Sequence, residues 1–533
     1  MGGDLNDEGG GSVDRRNFVR GAGFAGLAAA FAGRSRLLAQ YDAAHTPFPG
    51  GYVMQSAAVP PGKPVIVKVR QGQLQGVEAG GIRYFRGVPY AEPPVGPLRF
   101  KAPVPAKPWP GVRMADKNPP ASIQVRSALG ANQAPEDTPT SEDCLYLSIW
   151  APSEPGPHPV YAYIHGGGNV GGYSLDHRID GATFARDGVV CVSIEYRLGV
   201  LGFLDVKGLL GEAYAGSGNN GILDQILALE WLRENLAGFG GDPDKLTIGG
   251  QSAGGMDVCT LLASPMAKGL FRGAISESGG GSNALPEAEA EENAKRYAAA
   301  FSRLGGDVQG LASAPVEMIL QAQQESRVPS WPLIDGRVLT EAPFAAAGKG
   351  AGAHVALLIG TNRDEMGGAA PRTPEEVKAF ARFRELHPGL NDDQAQRQFG
   401  AERQFSAPSW IFADSHAAAG GPAYVYFFAW SGATGANAGL SIHGLEVSLV
   451  WDHIQALASR YVAPEPYIQA LATDMHHLWT AFVRTGVPSA PHVPAWPRWT
   501  REDRRYMEID AAFRVAALNP GELDLWKGVL PGA

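Results

Sequence analysis

Between residues 65 and 90 apolar and polar positions alternate, punctuated by Gly72, Gly76 and the pair Gly80-Gly81. A period of two belongs to strands with one buried face, so this stretch is expected to form an antiparallel meander at a sheet edge. Short apolar runs follow at 159–164, 189–194, 245–248, 354–359 and 424–429. Each is long enough for one buried strand. Between them the spacing turns helical, most clearly over 220–236, where Ile222, Ile226, Leu229, Trp231 and Leu232 recur and Gly238 follows. Strand alternating with helix argues for an α/β architecture on a largely parallel sheet. Two stretches, 119–142 and 373–409, fit the alternation poorly. They are expected to be loop or helical excursions that roof a cleft at the carboxyl edge of the sheet, where open α/β sheets bind ligands.

The 533 residues, 44% hydrophobic, suffice for one very large core or for two or three ordinary domains. Lys+Arg 45 against Asp+Glu 54 leaves a net charge of −9, without long runs of one sign. The basic footprint of a nucleic-acid binder is missing, so nucleic acid is not an expected partner. Past the first forty residues no apolar run approaches the roughly 20 residues that span a bilayer. The mature chain is therefore expected to be soluble and without a membrane anchor.

At the N-terminus, Arg15 and Arg16 stand together before an Ala/Gly-rich apolar stretch over 21–33, with a candidate cleavage point near Ala39-Gln40. Paired arginines, a short apolar stretch and small residues resemble a bacterial twin-arginine export signal. The expected organisation is a signal over 1–39, a linker over 40–64 and one domain over 65–533, placing the product in the periplasm or outside the cell. Only three cysteines occur, Cys144, Cys191 and Cys259, too few and too scattered for a metal site or a disulfide framework. No metal is expected.

Candidate chemistry centres on Gly249-Gly250-Gln251-Ser252-Ala253-Gly254-Gly255. A Gly-x-Ser-x-Gly match is weak alone, but this one follows the apolar run 245–248 and precedes a helical pattern over 256–262. Such a strand–turn–helix lifts a serine onto a strained elbow, and small neighbours let the backbone turn tightly. A nucleophile attacking a carbonyl also needs donors for the oxyanion. His165-Gly166-Gly167-Gly168 follows another apolar run, so the amides of Gly167, Gly168 and Ala253 are the expected donors.

A serine hydroxyl needs a base to take its proton and an acid to orient that base. Downstream, an acid on a loop after a strand occurs at Asp364-Glu365, and a histidine beside a glycine at Ile442-His443-Gly444. The residues themselves do not separate Asp364 from Glu365. His476 and His477 fall in an apolar helical pattern that suits a structural role, and His165 reads as scaffold. Trp331, Phe412 and Phe428 are candidate pocket-lining residues.

Assembled in this order, the residues closely resemble the type-B carboxylesterase family, which includes bacterial carboxylesterases and the cholinesterases. The markers are Phe85-Arg86-Gly87-Val88-Pro89-Tyr90-Ala91-Glu92-Pro93-Pro94, Ser141-Glu142-Asp143-Cys144-Leu145-Tyr146-Leu147, Glu195-Tyr196-Arg197-Leu198-Gly199 and Asn219-Asn220-Gly221-Ile222-Leu223-Asp224-Gln225. The resemblance runs from about Val65 to the C-terminus. It implies an α/β-hydrolase fold with an extended sheet of mixed direction, and a serine esterase that needs no cofactor. It further implies Ser252 as nucleophile, Glu365 as acid, His443 as base, and Gly167, Gly168 and Ala253 as the oxyanion hole.

Four departures mark this chain. Gln251 stands where the family commonly has Glu, and Asn169 where it favours an aromatic residue. Ser122 occupies the expected place of the cysteine that would pair with Cys144, so that disulfide is not expected. The stretch 122–142 contains no aromatic residue, whereas cholinesterases place a cation-binding Trp there. With Gln251 and Asn169 assigned to the pocket, the expected substrate is a small ester other than a choline ester. A catalytically dead binding protein on the same fold would lack one of the three residues, and all three are present. A lipase, acyltransferase or thioesterase would use the same set.

Overall fold

The alternation at 65–90 becomes three antiparallel strands, β1 (Lys63–Val69), β2 (Gly72–Ala79) and β3 (Ile82–Pro89). This computed structural model describes residues 59–125, 134, 138–176, 178–366, 370–432, 438–458 and 466–530. The expected export signal and the linker up to residue 58 lie outside the described residues. A short β4 (Val112–Met114) pairs with β2, and β3 continues into β5 (Tyr146–Pro152), again antiparallel.

The remaining strands are β6 (His158–Ile164), β7 (Val190–Ile194), β8 (Gly241–Gln251), β9 (Gly273–Glu277), β10 (Ala356–Asn362), β11 (Ala423–Phe428), β12 (Arg505–Ile509) and β13 (Phe513–Ala517). The thirteen form one sheet in the order β1-β2-β3-β5-β7-β6-β8-β9-β10-β11-β12-β13, with β4 beside β2. From β7 to β12 every pairing is parallel, and both outer ends are antiparallel apart from β4, which runs parallel to β2. The expected apolar runs all lie in this parallel centre. Because it is covered on both faces, its strands read as continuous apolar stretches.

The pleat divides the core in two. Along β6, Val160, Ala162 and Ile164 face one apolar cluster, which includes Ile222, Ile226 and Leu229 of α1 (Asn220–Asn235) and Val258 and Leu261 of α2 (Ala253–Ala263). The alternate residues Tyr161 and Tyr163 face a second cluster with Trp451 and with Leu478, Trp479 and Phe482. Successive side chains of a strand point to opposite faces, so both layers are needed to bury one strand.

The stretch 373–409 is helical as expected. It contains α3 (Pro374–Leu386), α4 (Asp392–Ala401), a π-helical turn (Glu402–Ser406) and the start of α5 (Ala407–Ala418). In 119–142 the described residues include a two-stranded pairing of Ala121–Ser122 with Thr140–Ser141. Cys144 lies against this pairing with its sulfur 3.5 Å from the Ser122 hydroxyl, so Ser122 does stand opposite Cys144. All three cysteines are free and buried.

Two of the sequence markers meet as a buried ion pair. The Arg197 guanidinium donates to both Asp224 carboxylate oxygens (2.8 and 2.6 Å), and the Arg197 amide donates to the same group (3.0 Å). Bidentate geometry and a third donor satisfy a carboxylate that has no access to water. The pair fixes the segment after β7 to α1, and thereby the wall of the parallel centre on which the candidate site is built.

Candidate active site

Ser252 is the single residue between β8 and α2. Its backbone takes φ 58° and ψ −127°, a conformation that costs a non-glycine residue free energy and persists only where the surroundings impose it. They do so through glycine contacts. A β-carbon on Gly254 would stand 2.1 Å from the Ile164 carbonyl oxygen, and one on Gly250 2.5 Å from the Gly254 backbone. The Ser252 amide donates to the Glu277 carbonyl at 2.8 Å, which ties the elbow to β9.

The glycine run after β6 packs directly on this elbow. A β-carbon on Gly166 would lie 2.5 Å from the Gln251 carbonyl oxygen and 3.0 Å from the Ser252 β-carbon. Gly167 and Gly168 follow with φ 119° and 65°. Ala253 opens α2, so its amide belongs to the first turn, whose N–H groups have no acceptor within the helix. Backbone donors from two loops thus border one serine.

Glu365 follows β10 and His443 follows β11, and the two come together. The His443 Nδ1 atom contacts the Glu365 Oε2 oxygen, while Oε1 accepts from the Ser278 hydroxyl (2.8 Å) and the Asn362 amide (2.7 Å). The Glu365 side chain is fully buried. Asp364 does a different job: its carboxylate accepts from the Ser441 amide (2.8 Å) and the Arg363 side chain (2.9 Å), pinning the loop that carries His443. Tertiary structure therefore separates the two acids that the residues read singly left equivalent, in favour of Glu365, which the family resemblance implied. Burial lowers the His443 pKa, but the Glu365 carboxylate outweighs it and leaves the ring above its ordinary value.

Three expected pocket residues lie elsewhere. Asn169 is fully buried, donating to Asp257 (3.1 Å) and accepting from the Tyr196 hydroxyl (3.0 Å). Phe412 and Phe428 have no accessible surface and fill the two core clusters, as aromatic residues on an inward face of a helix or strand do. Trp331 is half-buried on a loop. Gln251 is 3% exposed, and its amide nitrogen lies 3.1 Å from His443 Nε2. With Nδ1–H directed at Glu365, Nε2 is an acceptor, so the Gln251 amide donates to it. Among the described residues Ser252 makes no hydrogen bond to this ring. His165 is scaffold: it stacks on Tyr196, and burial lowers its pKa to about 4.

Several neighbours escaped sequence reasoning. Phe405 packs on the His443 ring with centroids 4.8 Å apart, Ser278 donates to Glu365, and Asn362 bridges to the buried Glu446. Burial, and then the charge of Glu365, raises Glu446 to about 7. No local motif marks these residues, since each acts through a partner more than 35 positions away.

The model of the carboxylesterase family matches residues 63–398 and 387–526. This chain belongs to the carboxylesterase family. It is 33% identical to the para-nitrobenzyl esterase of Bacillus subtilis (strain 168) over 481 residues, 84% of this chain and 96% of that protein. It is equally 33% identical to the fumonisin B1 esterase of Sphingopyxis macrogoltabida, over 82% of this chain and 85% of that one. The crystal structure of a Geobacillus stearothermophilus carboxylesterase superposes with a TM-score of 0.76 at 34% identity, covering 86% of this chain and 99% of that one. The fold is accordingly that of the α/β-hydrolases, and the carboxylesterase is a serine hydrolase of carboxylic esters.

Proposed function

We propose that this carboxylesterase acts through Ser252, His443 and Glu365, with the amides of Gly167, Gly168 and Ala253 receiving the oxyanion. The observation that carries the reading is the Glu365–His443 contact, made at the same sheet edge as the strained Ser252 elbow. His443 takes the Ser252 proton as the hydroxyl oxygen attacks the ester carbonyl, forming the Ser–acyl bond; the alcohol leaves with that proton, and water then hydrolyses the acyl-enzyme. Glu365 holds the Nδ1 proton and stabilises the imidazolium. Gln251 donates to the Nε2 atom that must receive the serine proton. Its amide gives way when Ser252 reacts; catalytic hydrogen bonds of a free enzyme often tighten only with substrate bound.

The preferred substrates are esters other than choline esters. The support is Gln251, which puts a neutral amide where the family commonly has a carboxylate; Asn169, bound to Asp257, contributes nothing here. The relatives named above for para-nitrobenzyl esters and for fumonisin B1 fit this reading. The domain follows a twin-arginine signal that directs it out of the cytoplasm.

Five outcomes test these proposals. Ser252→Ala should lower turnover on an activated ester by about 10³-fold or more; a variant that keeps near-normal hydrolysis would refute the nucleophile. Because His443 must be neutral to act as base and lies above its ordinary value of about 6.5, kcat/KM should rise with pH through a midpoint higher than that. Glu365→Gln removes the charge that raises the ring and leaves the burial that lowers it, so the midpoint should move down; an unmoved midpoint would deny the pairing. A panel pairing choline esters with neutral and acid-bearing esters of one acyl group should favour the latter, and a clear choline preference would overturn the substrate reading. Replacing Arg15 and Arg16 together by Lys should leave the product in the cytoplasm, and unchanged export would show that the pair is no signal.

A further inference from the structure

Three ends of the fold meet away from the serine elbow. His387 closes α3, Glu402 begins the π-helical turn, and Glu522 caps the short 3-10 turn Leu523–Trp526. One side-chain nitrogen or oxygen from each lies within 4.8 Å of the other two. Both acids are buried, Glu402 at 7% and Glu522 at 2% exposure. His387 Nε2 contacts Glu522 Oε1 at 2.8 Å, and the Trp526 indole donates to Glu402 Oε1 at 2.7 Å. Among the described residues the second oxygen of Glu522 accepts from no donor other than the neighbouring Glu402 carboxyl.

Two buried carboxylates this close repel each other, and among their described ion pairs His387 is the one partner that can carry a positive charge. Among the described residues neither pairs with a Lys or Arg, and the Arg363 that borders the same cavity is committed to Asp364 and to the Ala429 and Gly439 carbonyls. Beside the trio is a cavity of about 240 Å³, with Gln398, Ser406 and Asn519 in its wall. Phe383 lies against the His387 ring, with centroids 4.3 Å apart, and limits its rotation.

We infer that His387, Glu402 and Glu522 form a binding site for a divalent metal ion of the zinc class. One imidazole with two carboxylates suits that ion, and a three-residue set leaves a position open for water from the cavity. Ligands about 2.1 Å from one ion in tetrahedral array stand about 3.4 Å apart, so the His387–Glu522 contact opens slightly and Glu402 closes in. The alternative compensation is a proton shared by the two acids. Burial, and then the Glu522 charge, hold Glu402 well above the ordinary carboxylate range, and metal binding would release that proton. The π-helical turn that begins at Glu402 also carries Phe405, which packs on His443, so the ion would brace the segment behind that ring.

The test is zinc binding by the full chain, prepared without a histidine tag, stripped with chelator and titrated with ZnCl2 by calorimetry and by metal analysis after dialysis. The expected result is one zinc per chain, with a higher Tm in its presence. Binding should be at least 10-fold weaker in His387→Gln and in Glu402→Gln. His387 is partly exposed, so its replacement should leave a folded chain even where Glu402→Gln does not. No stoichiometric zinc in the wild-type chain would overturn the inference, as would stoichiometric zinc that His387→Gln leaves unchanged. Ester hydrolysis is not the readout, so the result is independent of the catalytic assignment.

Discussion

Backbone crowding at the end of β8 is the constraint on which the rest of the site depends. Ser252 is held at positive φ because the turn between strand and helix has no room to relax: Gly250, Gly254 and Gly166 bring main chain to within distances that a β-carbon would forbid. The strain is maintained from outside, by the Ile164 carbonyl and by the hydrogen bond from Ser252 to Glu277 on β9. A parallel centre with both faces buried is stiff enough to hold it. The glycine run after β6 and the start of α2 are therefore not separate features; they are the two surfaces between which the serine is wedged.

Around this steric centre stands an electrostatic one. Glu277, Glu365 and Glu446 are all buried at this end of the sheet, and they do not share one state. Glu365 accepts three hydrogen bonds, one of them from His443. Glu446 is raised to about 7 by burial and by Glu365, and burial raises Glu277 well above the usual range. Where the π-helical turn meets the C-terminal segment, Glu402 and Glu522 show a different arrangement, two acids with few donors between them.

Much of the architecture was legible because burial imposes periodicity. The meander, five of the central strands and α1 were each visible as a period of two, an unbroken apolar run or a helical face. The strands that went unseen had weaker signatures. In β9 the run Gly273-Ala274-Ile275-Ser276-Glu277 places a serine and a glutamate in the core, where the Trp479 indole donates to Glu277 and Ser276 donates to the Gly255 carbonyl and accepts from Cys259. Strand β12 pairs over just three residues with β11. Composition cannot report a polar residue whose partner is 200 positions away.

The sequence by itself determined the order of the elements, the serine elbow with its glycines, and the family, because these depend on local backbone geometry and on motifs read in consecutive residues. The residues read singly left Asp364 and Glu365 open and the family resemblance implied Glu365; tertiary structure shows the physical reason, since two adjacent carboxylates differ only in the direction the loop sends them. It also turned Asn169, on the loop after β6, inward to Asp257 of α2, and set Gln251, at the end of β8, on His443, because neighbours from other elements choose among the directions open to each side chain. And it brought His387, Glu402 and Glu522 together from α3, the π-helical turn and the C-terminal segment, a meeting across 135 positions that no local pattern encodes.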